Sequence, residues 1–142
     1  LSEEVRLMAL VVVTRLRLRD PEFQDEFFAA AVAVIEQAAS SDGDLGTDVL
    51  ADASNTYWTR TSWRDAAAMR QFMVAEPHLS TMTRIDDWCD EATFVSWEQD
   101  DGVLPDWDDA YQRLIEHGQV VHLRSESANN ATRAFPPISQ QA

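Results

Sequence analysis

Three groups of side chains carry functional chemistry in this sequence. His78 follows Glu76-Pro77. A neutral imidazole there can take a proton from an acidic phenol or enol near pH 7, or ligate an iron. The plain alternative is a helix-start histidine bonded to backbone. Trp58, Arg60 and Ser62 alternate along a β-rich run and share one face, with Tyr57, Thr59, Thr61 and Trp63 on the other. Arg60 is suited to hold a developing oxyanion and Trp58 to stack on a planar ligand. As plain structure, Arg60 is an arginine paired with one of many acids. Trp63, Trp88 and Trp97, with Met69, Phe72 and Met82, either wall an apolar pocket for a polycyclic ligand or fill an ordinary core.

The rest of the inventory excludes several chemistries. All 11 basic residues are arginine, so neither a Schiff-base lysine nor a phosphate-loop lysine is present. Cys89 is the single cysteine, which rules out an intrachain disulfide and a thiolate metal cluster. It sits among Asp87, Asp90 and Glu91, and nearby negative charge disfavours a nucleophilic thiolate. Four glycines form no phosphate-cradling loop, and no Gly-x-Ser-x-Gly elbow occurs. The acids at 86–87, 90–91, 106 and 108–109 lack EF-hand spacing and read as a solvated rim, so no metal is expected. Asn130-Ala131-Thr132 matches a glycosylation sequon, a pattern short enough to recur by chance.

A formal charge of −14 argues against nucleic acid and anionic membrane as partners. No apolar run approaches the roughly 20 residues a membrane helix needs, and Met8 to Val13 is strand-sized. The start of the chain lacks a signal-peptide layout, and a cytoplasmic location is the expectation.

The elements follow from periodicity. Residues 6–18 read as a strand, with Leu10, Val12, Leu16 and Leu18 on one face and Arg15 and Arg17 on the other. Asp20 and Pro21 open a helix whose stripe is Phe23, Phe27, Ala30, Val34 and Ala38. A weaker strand near 48–53 turns at Ser54-Asn55 into a strand over 56–63. Ser62 and Asp65 have capping-box spacing and start a second helix, which Pro77 interrupts before a short continuation over 78–88. Residues 92–98 form the next strand. A last helix over 105–117 turns Trp107, Ala110, Tyr111, Leu114 and Ile115 inward and stops at Gly118. Residues 119–124 read as a short final strand, and the polar stretch 125–142 as an extended or disordered tail.

The expected fold is therefore α+β, with ferredoxin-like β-α-β-β-α-β order, an extra C-terminal helix and a polar tail, in one domain over residues 1–124. Two helices cover one face of such a sheet. The other face needs a cover, and a second copy of the same sheet is the simple solution, so a homodimer is expected.

The run Tyr57-Trp58-Thr59-Arg60-Thr61-Ser62-Trp63-Arg64-Asp65, then Met69, Phe72, His78, Met82, Trp88 and Trp97, and finally Pro105-x-Trp107 with Ala110 and Arg113-Leu114, carries a resemblance over residues 7–118. It resembles an uncharacterised family within the antibiotic-biosynthesis-monooxygenase superfamily, and is also similar to spheroidene monooxygenase-like proteins. The resemblance implies a dimeric α+β barrel with a pocket between sheet and helices, and a small-molecule enzyme. Cofactor-independent monooxygenation of an aromatic or polyketide-like substrate in bacterial secondary metabolism is the leading expectation. An isomerase or cyclase, or a haem- or apolar-ligand-binding module, is the alternative. Met82 and Phe72 stand where the haem-degrading relatives carry a histidine and a tryptophan. The resemblance implies Asn55 and Trp58 as analogues of the Asn and Trp of the quinone-forming enzymes, at a spacing that departs from theirs. The expected site is thus His78 as general base and Arg60 as oxyanion holder. Asn55, Trp58, Trp63, Phe72, Met82 and Trp97 contact a small apolar or aromatic ligand, with no cofactor, or haem in the alternative.

Overall fold

The computed structural model describes residues 8–139. Strand β1 (Ala9–Leu18) is followed by a 3-10 turn (Pro21–Phe23) and helix α1 (Gln24–Ser40). The Asp20 carboxylate accepts from the Glu22 N–H at 2.9 Å and caps this start, with Pro21 in the first position, where its missing N–H costs nothing. Strands β2 (Asp44–Ala51) and β3 (Thr56–Trp63) form a hairpin. At its turn Asn55 takes φ 59°, a left-handed conformation that Asn tolerates better than most residues.

Helix α2 (Ala66–Val74) is capped by Asp65, which accepts from the Ala68 N–H at 2.8 Å. The Ser62–Asp65 capping box does not form. Ser62 is still in β3, paired with Val11 and Gly46, and its buried hydroxyl donates to the Gly102 carbonyl at 2.7 Å. Two short helices, α3 (His78–Met82) and α4 (Ile85–Trp88), lead into β4 (Cys89–Gln99). Helix α5 (Trp107–His117), the two-residue strand β5 (Gln119–Val120) and helix α6 (Ala128–Thr132) complete the chain. The last strand is shorter than the expected 119–124: it pairs with Thr93 and Phe94, and beyond them Asn130 takes the Ala92 N–H and the Ser127 N–H takes the Asp90 carbonyl.

The sheet is antiparallel with order β2-β3-β1-β4-β5, the ferredoxin-like order with one strand added. Its register sorts side chains between two faces. Thr14 lies opposite Thr59 and Phe94, while Val13 lies opposite Arg60 and Val95. On the first face, Leu16, Leu18, Tyr57 and Ala92 pack with Phe27, Ile85 and Trp88 of the helices. Farther along that face, Leu10, Val12 and Trp63 pack with Ala38, Ala68, Met69 and Phe72. This is the layer of α1 to α4.

The second face carries Val13, Trp58 and Val95, and it is covered by Ala110 and Leu114 of α5 together with Phe135. The cover that the sequence reading assigned to a second copy is thus supplied within this chain. Ile115, expected inward, is 37% exposed at the rim of α5. Part of the polar stretch after residue 124 is also packed rather than extended or disordered. Ser127 caps α6, and Asn130 is fully buried. The Asn130 amide accepts from the Ala92 N–H at 3.0 Å and donates to the Val121 carbonyl at 3.1 Å, completing backbone groups that the short β5 leaves open. The chain then crosses to the β2–β3 turn, where Ala53 N–H donates to the Ser139 carbonyl at 3.4 Å.

Candidate functional site

His78 is placed by α1 as much as by its own helix. Gln37 of α1 accepts from the His78 backbone N–H at 2.8 Å and donates to the Phe72 carbonyl at 3.1 Å, which locks the α2–α3 junction to α1. The His78 ring lies 4.6 Å from Phe72, and Phe72 in turn stacks 5.0 Å from Trp63. The Trp63 indole N–H reaches the Thr61 hydroxyl at 2.9 Å. A continuous line therefore runs from the sheet to the imidazole through Trp63 and Phe72.

The His78 Nδ1 stands 2.9 Å from the Met73 carbonyl. A carbonyl only accepts, so Nδ1 carries the proton and Nε2 keeps its lone pair in the neutral ring. Burial favours that neutral form and holds the imidazole below its ordinary value of 6.5, against the opposing pull of the Met73 carbonyl. The ring is thus unprotonated at neutral pH, with one nitrogen anchored and the other left as a base or a ligand.

The remaining expected residues divide between the two faces. Trp63 and Phe72 join His78. Met82, at the end of α3, is 48% exposed and lies in neither aromatic stack. On the same side of the sheet, Phe94 and Ser96 of β4 are exposed, so α2 to α4 leave the sheet open over the middle of β4. Trp58, Arg60 and Trp97 belong to the opposite face, under α5. Trp58 is fully buried against Tyr111, and its indole N–H points to Asp52 at 3.4 Å. Trp97 stacks under Arg113 at 4.2 Å and donates to Gln99 at 2.9 Å. Asn55 is at the hairpin turn, where its carbonyl accepts from the Leu18 N–H at 3.0 Å.

The structure therefore does not bring His78 and Arg60 together. Arg60 donates through Nε to Asp48 at 3.1 Å and through Nη1 to the Pro105 carbonyl, and its guanidinium lies 4.3 Å from the Trp107 ring. The contacts with Pro105 and Trp107 hold the entry to α5 on the sheet, and the bond to Asp48 fixes the guanidinium across β2 and β3. Cys89 is fully buried, and burial with the nearby Asp90 pushes its thiol up to about 12, so it offers no thiolate. Among the described residues no group of three or more His, Cys, Asp or Glu is placed to hold a metal, and no helix is long and apolar enough to cross a membrane.

The sequence reading missed a buried charge cluster beneath α5 and α6. Arg15 of β1 donates to Glu91 of β4 at 2.6 Å with both side chains out of solvent. Arg17 and Ser127 hold the other Glu91 oxygen at 3.1 and 2.9 Å. Burial pushes the Glu91 carboxyl up, but its hydrogen bond and charge attraction to Arg15, with help from Ser127 and Arg17, leave it below the ordinary range. The available signal was the pair of arginines inside a strand otherwise built of apolar residues and a threonine.

Residues 11–135 match the model of a family described only as a domain of unknown function, DUF3291. The chain belongs to the DUF3291 family. No curated protein matches it. Solved structures show where the DUF3291 fold sits. Rv0793 from Mycobacterium tuberculosis aligns with TM-score 0.60 at 15% identity, covering 67% of this chain and 98% of that one. SnoaB, a cofactor-independent oxygenase from Streptomyces nogalater, aligns with TM-score 0.55 at 17% identity, covering 70% and 99%. A protein described as an antibiotic biosynthesis monooxygenase aligns with TM-score 0.56 at 18% identity, covering 66% and 98%. The fold is shared with these proteins almost to the end of their chains, while about a third of this DUF3291 chain lies outside each match.

Proposed function

We propose that this chain is a small-molecule enzyme in which His78 Nε2 is the general base, working on the helix side of the sheet without a bound cofactor. The observation that carries this reading is the Nδ1–H to Met73 carbonyl bond, which fixes the tautomer with a basic nitrogen left over. Burial that keeps the ring neutral makes it competent at physiological pH. Trp63 and Phe72 supply flat apolar surface beside it, suited to an aromatic or polyketide-like substrate. The shared fold with a cofactor-independent oxygenase supports oxygenation as the reaction.

In that reaction His78 removes a proton from an acidic phenol or enol, and the electron-rich anion reacts directly with dioxygen. An activated methylene becomes a carbonyl, one oxygen atom enters the product, and the second leaves as water. Arg60 has no part in this scheme, because it lies across the sheet and is bound to Asp48 and the Pro105 carbonyl. An isomerase or cyclase would use the same base and stop before oxygen reacts.

The test is turnover and oxygen uptake over a panel of hydroxylated polycyclic ketones, with wild type and His78→Ala side by side. Turnover should fall by about 10² in the variant. An active wild type and an equally active variant would remove His78 from the mechanism. The absorption spectrum of protein purified without added cofactor accompanies the assay. A Soret band lost in His78→Ala would instead assign the free Nε2 to a haem iron.

A further inference from the structure

Opposite the His78 face, the chain closes a second aromatic slot with its own side chain. Phe135 is nearly fully buried, and its ring sits between two guanidiniums, Arg15 at 5.7 Å and Arg133 at 5.9 Å. Trp58 packs on Arg15 at the same 5.7 Å and meets Tyr111 edge-on at 6.1 Å. The Tyr111 hydroxyl donates to the Phe135 carbonyl at 2.7 Å and pins the plug. A shallow groove of about 410 Å³ opens beside it, lined by Ile115, Asn129, Arg133, Ala134, Phe135 and Pro136. Phe135 is thus both the wall of an open groove and the stopper of what lies beneath.

What lies beneath is not satisfied. Arg15 Nε and Thr93 Oγ1 are buried and without hydrogen-bond partners among the described residues. Arg15 and Thr93 are directly opposed in the β1–β4 register, so the two groups stand on the same face. Buried orphans of this kind are costly and call for an explanation. Glu91 already neutralises Arg15, so Nε contributes a free donor and no net charge. Arg133 at the mouth is different. Its hydrogen bonds run to the Gly118 and Ile115 carbonyls, and no carboxylate pairs with it among the described residues. A ring flanked by guanidiniums, an unused donor below and an uncompensated cation at the entrance together describe one class of guest.

We infer that the slot filled by Phe135 is a binding site for a planar aromatic carboxylate, with Phe135 as a displaceable plug. The guest ring takes the place of the Phe135 ring between Arg15 and Arg133. Its carboxylate stays at the mouth beside Arg133, and Arg15 Nε is left as a donor to a polar edge of the ring. The apparent affinity is the intrinsic one multiplied by the fraction of time the plug is out, so loosening it tightens binding.

The probe is 2-naphthoate, with 2-naphthalenemethanol as its uncharged match, titrated calorimetrically into wild type, Phe135→Ala, Tyr111→Phe and Arg133→Gln. Phe135→Ala should bind naphthoate about tenfold more tightly than wild type, and more tightly than it binds the alcohol. Arg133→Gln should lose that preference for the anion. Equal affinity of Phe135→Ala for both probes would mean a bare apolar cavity and overturn the inference. So would naphthoate binding unchanged by Phe135→Ala, or insensitive to Arg133→Gln. Tyr111→Phe keeps the core rings and removes only the pin on the Phe135 carbonyl, so it stands if Phe135→Ala does not fold. It should tighten naphthoate about threefold, and unchanged or weaker binding would overturn the inference. His78→Ala should leave these affinities unaltered, which separates this site from the proposed catalytic one.

Discussion

Arg15 and Glu91 lie 76 positions apart in the chain and meet at 2.6 Å with neither side chain open to solvent. A pair of this kind adds little over well-packed apolar residues, but breaking it strands a charge in the interior. Glu91→Gln keeps the shape and leaves Arg15 unpaired. Its expected cost is about 3–5 kcal/mol in urea unfolding. A loss below about 1 kcal/mol would show that water reaches the pair and that the face under α5 is not closed.

The His78 tautomer is directly observable. Long-range proton–nitrogen correlation spectra at neutral pH should show Nδ1 as the protonated nitrogen and Nε2 as the bare one, as its bond to the Met73 carbonyl requires. Gln37→Ala removes the side chain that holds the His78 backbone N–H and should blur that preference. An Nε2-protonated ring in the wild type would contradict the base assignment before any substrate is known.

Burial of the same ring also gives stability a pH dependence. The folded state holds the imidazole below 6.5, so the unfolded chain binds the proton more readily. Its contribution is fully present above the ordinary value and is lost as pH falls through the lower folded one. Urea midpoints should drop across that acid window, and the drop should shrink in His78→Gln. An identical slope in the variant would place the source elsewhere.

Arg60 should act on stability through α5. Arg60→Met removes the bonds to Asp48 and the Pro105 carbonyl and the contact with Trp107. We expect a cost of about 1–3 kcal/mol, the range for losing charge-assisted hydrogen bonds. Hydrogen exchange should rise across α5 and leave α2 and α3 protected. Uniform change across both layers would refute an α5-specific tether.

Much of the fold was legible because local rules and long-range packing agree in it. The alternation in β3 predicted Trp58, Arg60 and Ser62 on one face, and the register with β1 and β2 places them there. Asp20-Pro21 and Gly118 mark helix ends by side-chain and backbone properties that are independent of context. The site was less legible, because a strand pattern says which residues share a face and not which face meets which layer. His78 and Arg60 looked like one constellation in sequence and stand on opposite sides of the sheet. The packing of α6 through Asn130 was hidden by composition. Asn130 reads as polar and exposed, yet it is buried because Ala92 and Val121 have backbone groups to satisfy. Nothing local signals such a demand.

The covering of the second sheet face by α5 and Phe135 has a consequence for assembly. A face covered in this way seats one occupant at a time. If two sheets were to meet there face to face, α5 and the strap through Phe135 would first have to leave, so self-association and intramolecular closure compete for the same ground. Mass action then makes protein concentration an opponent of the strap. Any pairing through this face would grow with concentration and could proceed no faster than the strap detaches.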